Sequence, residues 1–385
     1  MSESLLVLGG GIIGLSCAFE AARRGAAVTV VEPGAIGGQA SGAAAGMLAP
    51  YTENGEQPDA FFRLCLDSLH RYPEWVKQIE EISGMKAELM STGSLTVAMH
   101  EADLLPLQTR LAWQRSFGSE AELITGERLR RMEPRLSEAA ITAIYTPDES
   151  HVHAPKLVAA LQAACLRLGV KLLAHAGTIT MPNMNGSSTG IGIETSGHGR
   201  ITGDKLIVAA GAWANQYAEL FGFPIPIHPI RGQICSFGSS REQTSEKSVN
   251  HMVFSSQAYW VEKQDGSLIC GASEDVAGYE TAVTERGINR LIRWGPRLFP
   301  FLEGREPSLR WAGLRPATRD GWPLIGTVPG RPDIIIAAGH YRNGILLSPA
   351  TAALADGMLT GRESGSNNNP FAPDRFAPVS GRAVR

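Results

Sequence analysis

Two arginines raise the chemical question in this chain. Arg315 lies in WAGLRPATRDGWPLIG and Arg342 in DIIIAAGHYRNGILLSPATAALADGML. A guanidinium grips a small carboxylate through two parallel, charge-assisted hydrogen bonds. Ile334–Ala338 reads as a buried strand, Gly339 as a turn, and a helix begins near Asn343–Gly344. A helix start presents unpaired N–H groups and partial positive charge. Arg315 and Arg342 flank that start, so the segment suits a site that holds anions. A carboxylate is one candidate; a second anion needs another ligand, and the N-terminus points to one.

Leu5–Leu8 is a short apolar run, followed by Gly9-Gly10-Gly11-Ile12-Ile13-Gly14 and an Ala-rich helical stretch to about Arg24. A second apolar run, Ala27–Val31, ends at Glu32-Pro33. This is G-x-G-x-x-G between strand and helix, with an acid closing the next strand. Gly9 and Gly11 let the backbone approach a pyrophosphate, Gly14 lets the helix sit close to the sheet, and the helix start faces the phosphates. Glu32 would accept from ribose hydroxyls and repel a 2′-phosphate. The long run of small residues that follows, PGAIGGQASGAAAGML, favours an extended ligand such as FAD over NAD. The second anion is then the charge that a flavin ring carries once reduced.

Composition narrows the rest. A chain of 385 residues with 43 glycines and a net charge of −3 suits a soluble α/β protein of two domains. No basic run interleaved with aromatics is present, which argues against a nucleic-acid partner. No stretch reaches the roughly 18–20 apolar residues of a membrane span, and MSES lacks the charge of a signal peptide. The five cysteines are scattered and never form C-x-x-C, pointing to reduced thiols and a cytoplasmic protein. His151-Val152-His153 would place two imidazoles on one strand face, but no acid or thiol completes a metal set. A metal is therefore not expected.

The expected fold class is α/β: an FAD-binding Rossmann-like domain with an inserted substrate domain built on an antiparallel sheet. Helical spacing marks 60–83, 104–116, 125–132, 154–168 and 285–298, and β-like patterns mark 87–99, 140–145, 170–174 and 205–209. Short alternating strands, 232–237, 258–262 and 267–271, suggest the antiparallel sheet. The FAD-binding domain is expected from 1–85, 150–222 and 311–370, the substrate domain from 86–149 and 223–310, with a loose tail over 371–385.

These segments together resemble the D-amino-acid oxidase family of flavoproteins, and within it the glycine oxidase branch. The resemblance rests on GGGIIG with Glu32, GGQASGAAAGML, DESHVHAPKLV, VAAGAW, PIRGQ, AYWVEK, WAGLRPATRDGWPLIG and AAGHYRNGILLSPATA. It implies non-covalent FAD, an oxidase reaction consuming a small amino acid and molecular oxygen, a role in thiamin thiazole synthesis, and a homotetramer. The chemistry implied is hydride transfer from Cα to the flavin, giving hydrogen peroxide and an imine that hydrolyses to the 2-oxo acid. Position by position, Gly9, Gly11, Ile12, Ile13, Gly14, Glu32, Pro33, Ala40, Ser41, Ala45, Gly46, Met47, Thr178 and Gly211 would contact FAD. His340, Tyr341, Arg342, Asn343, Gly344, Ile345 and Leu346 would wrap the flavin ring. Arg315 would bind the substrate carboxylate, with Tyr259 and Arg342 completing the catalytic pocket and His340 in a structural role.

Two positions depart from the branch. Glu274 follows Gly271-Ala272-Ser273 where a glycine oxidase carries an apolar pocket residue, and Gln257 replaces a pocket histidine two residues before Tyr259. Glu274 is thus expected beside the substrate. The order of preference among glycine, sarcosine and D-alanine stays open, as does a D-amino-acid or sarcosine dehydrogenase using another acceptor. A flavin-free NAD-binding regulatory module is the reading from another class, and yellow colour separates the two. No cysteine follows Cys270, which disfavours a covalent flavin link near the C-terminal flavin segment.

Overall fold

The computed structural model describes residues 3–54, 58–181, 190–238, 247–363 and 369–377. A central six-stranded sheet runs in the order Leu324–Val328, Arg331–Ala338, Lys205–Val208, Ser4–Leu8, Ala27–Val31, Lys171–Leu173. Neighbours are parallel except the first pair, which is a hairpin. Strands covered on both faces read as unbroken apolar runs, as Leu5–Leu8 and Ile334–Ile336 do. Alternate residues feed two cores. Leu5, Val7, Ile207 and Ile335 face one, and Leu6, Leu8, Leu206, Ile334 and Ile336 face the other.

Helices Ile12–Arg23, Ala60–Ser83, Ala154–Arg167 and Gly344–Leu359 cover the first face. A three-stranded antiparallel sheet, Ile179–Thr180, Ile191–Thr195 and Gly199–Gly203, lies over the second. Helix Ala60–Ser83 starts on the Asp59 side chain, which accepts from the Phe62 N–H, and stops at Gly84 in the left-handed region.

Helix Gly344–Leu359 carries Pro349 in its interior. Proline has no N–H to give the carbonyl four residues back, so the Ile345 carbonyl loses its helical donor. The Tyr72 hydroxyl supplies one at 2.6 Å, and Ser348 Oγ another at 2.8 Å. One residue on, Ser68 Oγ donates to the Leu346 carbonyl (2.6 Å) and accepts from the Ala350 N–H (3.2 Å). Helix Ala60–Ser83 thus braces the irregular turn and fixes where the helix start points.

The second large sheet has eight strands: Leu309–Thr318, Ile227–Phe237, Leu268–Gly271, Tyr259–Glu262, Met252–Phe254, Ser94–Ala98, Thr142–Thr146 and Glu122–Thr125. It departs from the expected purely antiparallel sheet at one pair, Met252–Phe254 beside Ser94–Ala98, which is parallel. The segment 87–99 contributes only Ser94–Ala98 as a strand. Helix Glu285–Leu298 packs on this sheet around Trp260 and Phe299.

Two expected boundaries move. Leu309–Thr318 pairs over its whole length with Ile227–Phe237, so Trp311–Thr318 belongs to the eight-stranded sheet rather than the FAD-binding segment 311–370. Ten residues of ladder hydrogen bonding outweigh proximity in sequence. The tail 371–385 is not loose where it is described. Phe371 and Ala372 are buried, the Phe371 carbonyl accepts from Ile325 N–H, and Arg375 pairs with Asp320. Residues 378–385 lie outside the described residues. His151 and His153 also separate. His151 is buried in a two-residue strand, while His153 caps helix Ala154–Arg167. Among the described residues no three metal-binding side chains converge, and no helix is long and apolar enough to cross a membrane.

Candidate active site

A cavity of about 790 Å³ lies between the two large sheets, within the usual range for a small-molecule or cofactor site. One wall is at the carboxyl ends of the parallel strands, where Gly9, Ala209 and Ala338 line it, the usual ligand crevice of such sheets. The other wall comes from the eight-stranded sheet through Gly232, Ile234, Tyr259 and Gly313–Pro316.

The glycine loop is held close to its neighbours. Gly9 has φ +112°, and a Cβ there would fall 2.3 Å from the Ala209 carbonyl oxygen. A Cβ on Gly14 would fall 1.9 Å from the Gly9 oxygen. Gly14 therefore sets the contact of helix and strand and does not line the cavity, a correction to its expected ligand contact. The Gly11 N-cap offers no side-chain cap, and the Ile12 N–H is met by Ser41 Oγ at 2.9 Å. Glu32 lines the cavity and accepts from Gly10 N–H (2.7 Å) and Gly34 N–H (3.0 Å). Pro33, Ala40, Ser41, Ala45, Gly46, Met47, Thr178 and Gly211 line it as well. A backbone cradle, a helix start with no cap from its own N-cap residue, and an acid at the strand end fit an extended dinucleotide.

Backbone pairing brings the two arginine segments together. Ala317 bridges to His340, and the Tyr341 N–H donates to the Pro316 carbonyl at 2.9 Å. Tyr341 sits at φ +47°, a region that non-glycine residues enter at a cost and that recurs at functional sites. His340, Tyr341, Arg342, Gly344 and Ile345 line the cavity. Asn343 and Leu346 do not. Asn343 is the N-cap residue of the helix, its N–H bound to the His340 carbonyl, and Leu346 is packed in the helical core. His340 Nε2 meets Thr351 Oγ1 at 2.9 Å, and burial lowers the imidazole to about 3. It stays neutral near pH 7.

Arg315 donates to the Ser273 carbonyl at 2.9 Å, and its guanidinium lies over Gly232, where a Cβ would come within 2.3 Å of it. Among the described residues no carboxylate pairs with it. Tyr259 is buried beside it. Burial raises the phenol, more than the nearby Arg315 lowers it, so it keeps its proton at neutral pH. Arg342 is different, bound to both Glu53 (3.1 Å) and Glu274 (2.8 Å). Attraction to Glu53 is the main reason its guanidinium is held above the ordinary arginine value.

Glu274 is exposed and does not line the cavity, contrary to its expected place beside the substrate. It reaches the site through Arg342 and Tyr341. Gln257 is also exposed and off the cavity; its carbonyl accepts from Arg290 and its N–H donates to Ser255 Oγ at 3.3 Å. The turn 255–258, closed by Ser255, points it away.

Sequence reasoning missed Glu53 and Lys263. Glu53 lies in the short helix Pro50–Glu53, where no local pattern marks it. Lys263 is buried, and its ammonium donates to the Ala45 (2.7 Å) and Val152 (2.8 Å) carbonyls and meets His151 Nδ1 at 3.2 Å. Burial lowers it to about 7, and these acceptors favour its charged form. It ties the small-residue segment lining the cavity to the eight-stranded sheet. A lysine amid the apolar alternation of AYWVEK was the available signal.

Comparisons agree with this geometry. The family model described as "FAD dependent oxidoreductase" (DAO) matches residues 4–357. A glycine oxidase of Geobacillus kaustophilus is 31% identical over 96% of this chain and 96% of its own length. The bifunctional protein ThiO/ThiG of Synechocystis sp. is 33% identical over 100% of this chain, which spans 55% of that longer protein. The crystal structure of glycine oxidase from Geobacillus kaustophilus superposes with a TM-score of 0.90 at 30% identity, covering 98% of this chain and all of that one. The chain belongs to the DAO family of FAD-dependent oxidoreductases and is a flavin amine oxidoreductase of the glycine oxidase/ThiO type.

Proposed function

We propose that the protein oxidises small amino acids, glycine with sarcosine and D-alanine, to the 2-oxo acid and ammonia or amine, with oxygen reduced to hydrogen peroxide. The observation that carries this is Arg315, a guanidinium on the cavity wall whose one polar partner among the described residues is a backbone carbonyl. Two of its N–H groups can take a carboxylate, and Gly232 gives the fork its space. Bound FAD supplies the acceptor for a hydride from Cα and the route for electrons to oxygen. Tyr259 keeps its proton and can donate to the second carboxylate oxygen while its ring excludes water. His340 is neutral and engaged with Thr351, and Tyr259 stays protonated, so neither is poised to take the Cα proton. That supports loss of hydride from carbon.

The decisive test is oxygen uptake and peroxide release by the yellow holoprotein with glycine, sarcosine and D-alanine. Peroxide formed in step with glyoxylate supports the reading. Reduction of bound flavin by glycine without oxygen uptake would move it to a dehydrogenase. We further propose a cytoplasmic homotetramer serving thiamin thiazole synthesis. The motif resemblance supports both, and light scattering and complementation of a thiazole auxotroph test them.

A further inference from the structure

Arg342 is the second guanidinium on the cavity wall, and its charge is already met. Nη1 donates to Glu274 Oε1 at 2.8 Å and Nη2 to Glu53 Oε1 at 3.1 Å. The Tyr341 hydroxyl donates to the same Glu274 oxygen at 3.0 Å. One cation against two anions leaves this triad at −1, and Glu53 itself lines the cavity with a side chain only 8% exposed.

The backbone carrying Glu274 is anchored on both sides, and just before it the Ser273 N–H donates to the Gln233 carbonyl at 3.1 Å. Asp275 exchanges backbone hydrogen bonds with Arg231, at 2.9 Å each way, and its carboxylate accepts from Gln233 and Ser273 (both 2.7 Å). Four residues on, the Tyr279 ring packs against Trp213 with centroids 5.6 Å apart, and its hydroxyl reaches the Ala212 carbonyl at 3.3 Å. Trp213 and Ala212 line the cavity. The segment therefore runs between two parts of the cavity wall and delivers a carboxylate to Arg342.

We infer that Glu53, Arg342 and Glu274 act as a charge filter that admits substrates with one carboxylate and rejects those with a second anionic group. Arg315 takes the single carboxylate. A further anion meets a guanidinium whose charge is already matched by Glu274 and by Glu53 on the cavity wall, and like charges brought together at a site suppress the wrong ligand. Cationic or neutral substituents meet no such barrier. This inference rests on the carboxylate role of Arg315 proposed above.

The test uses two ligands of nearly equal size, malonamate and malonate, titrated into the holoenzyme at mildly alkaline pH. Binding is read from the perturbed flavin absorbance and from competitive inhibition of oxygen uptake. Malonamate is expected to bind at least ~10-fold more tightly than malonate. In Glu274→Gln and in Glu53→Gln that ratio is expected to shrink by about 3-fold or more, and the wild-type ratio should fall as salt screens the triad. A purely structural role for Glu274 would move stability but not this ratio, and a Glu274→Met variant with bound flavin guards against misfolding of the first. Equal binding of the two ligands by wild type, or an unchanged ratio in both Gln variants, overturns the filter. If neither ligand binds, the Arg315 reading falls with it; if malonamate binds in an Arg315-dependent way and the ratio is flat, only the filter is lost.

Discussion

On the wall supplied by the six-stranded sheet, the cavity surface is mostly backbone and small side chains: Gly9, Gly11, Ala209, Ala210 and Gly211, with Glu32 as its carboxylate. On the wall supplied by the eight-stranded sheet and the segments that cross to it, long side chains make the surface: Arg315, Tyr259, Arg342 and Glu53. The first arrangement presents backbone whose position follows from one strand–turn–helix. The second depends on charges carried by elements far apart in sequence, such as Glu53 and Arg342, 289 residues apart. A backbone site tolerates side-chain changes but no added Cβ, whereas a side-chain site can be retuned by a single charge.

Arg315→Ala should separate the walls most sharply. Removing a buried carboxylate partner costs about 2–5 kcal/mol, so kcat/KM for glycine should fall by about 30-fold to several thousand-fold while flavin stays bound. Retention of flavin with near-normal kcat/KM would remove the contrast. Next is Glu149, which is buried and accepts from the Thr52 N–H (2.8 Å) and Thr52 Oγ1 (2.7 Å) beneath Glu53. Burial raises it from 4.5 to about 7, against hydrogen bonds from Ser94 and Thr52. Because the folded value lies above the unfolded one, its stability contribution is complete below about 4.5 and is lost as pH rises through about 7. Glu149→Gln should therefore be the more stable protein at pH above 7, by up to about 3 kcal/mol, with the difference vanishing in acid. Denaturant melts across that range would sink the idea if the two proteins ran parallel.

Gly14→Ala addresses the other wall. Its Cβ would collide with the Gly9 carbonyl, where backbone must give way. Overpacking of this kind costs about 1–3 kcal/mol, and the expected readout is loss of flavin on gel filtration with a lowered melting temperature. Unimpaired flavin retention would show that the cradle has slack. The smallest effect is expected from Tyr279→Ala, which removes a half-exposed ring from Trp213. About 0.5 kcal/mol follows from such a pair, a shift of roughly 1–2 °C in Tm, and a larger loss would mean that the segment braces more than its contacts indicate.

Legibility followed the same divide. GGGIIG with Glu32, the helix Glu285–Leu298 and the strand ending at Ala338 were readable because each is specified by neighbours in sequence through turn chemistry or apolar period. Arg315 and Tyr259 were reachable through family motifs, and the structure lines the cavity with both. Glu274 and Gln257 were expected in the pocket but are exposed, because the direction of a side chain depends on how its turn is anchored. Glu53 carried no local signature and Lys263 only that of a lysine amid apolar neighbours, since burial of a charge has meaning only against its partners.

By itself, then, the order of residues determined a dinucleotide crevice: glycines where a Cβ cannot fit, apolar runs that must be covered on both faces, and a helix start aimed at charge. Tertiary structure alone decided that Leu309–Thr318 joins the eight-stranded sheet and that Arg342 meets two carboxylates while Arg315, among the described residues, meets a backbone carbonyl. The reason is range. Backbone conformation is set within a few residues, but the fate of a guanidinium depends on which acids the fold carries to within hydrogen-bonding distance.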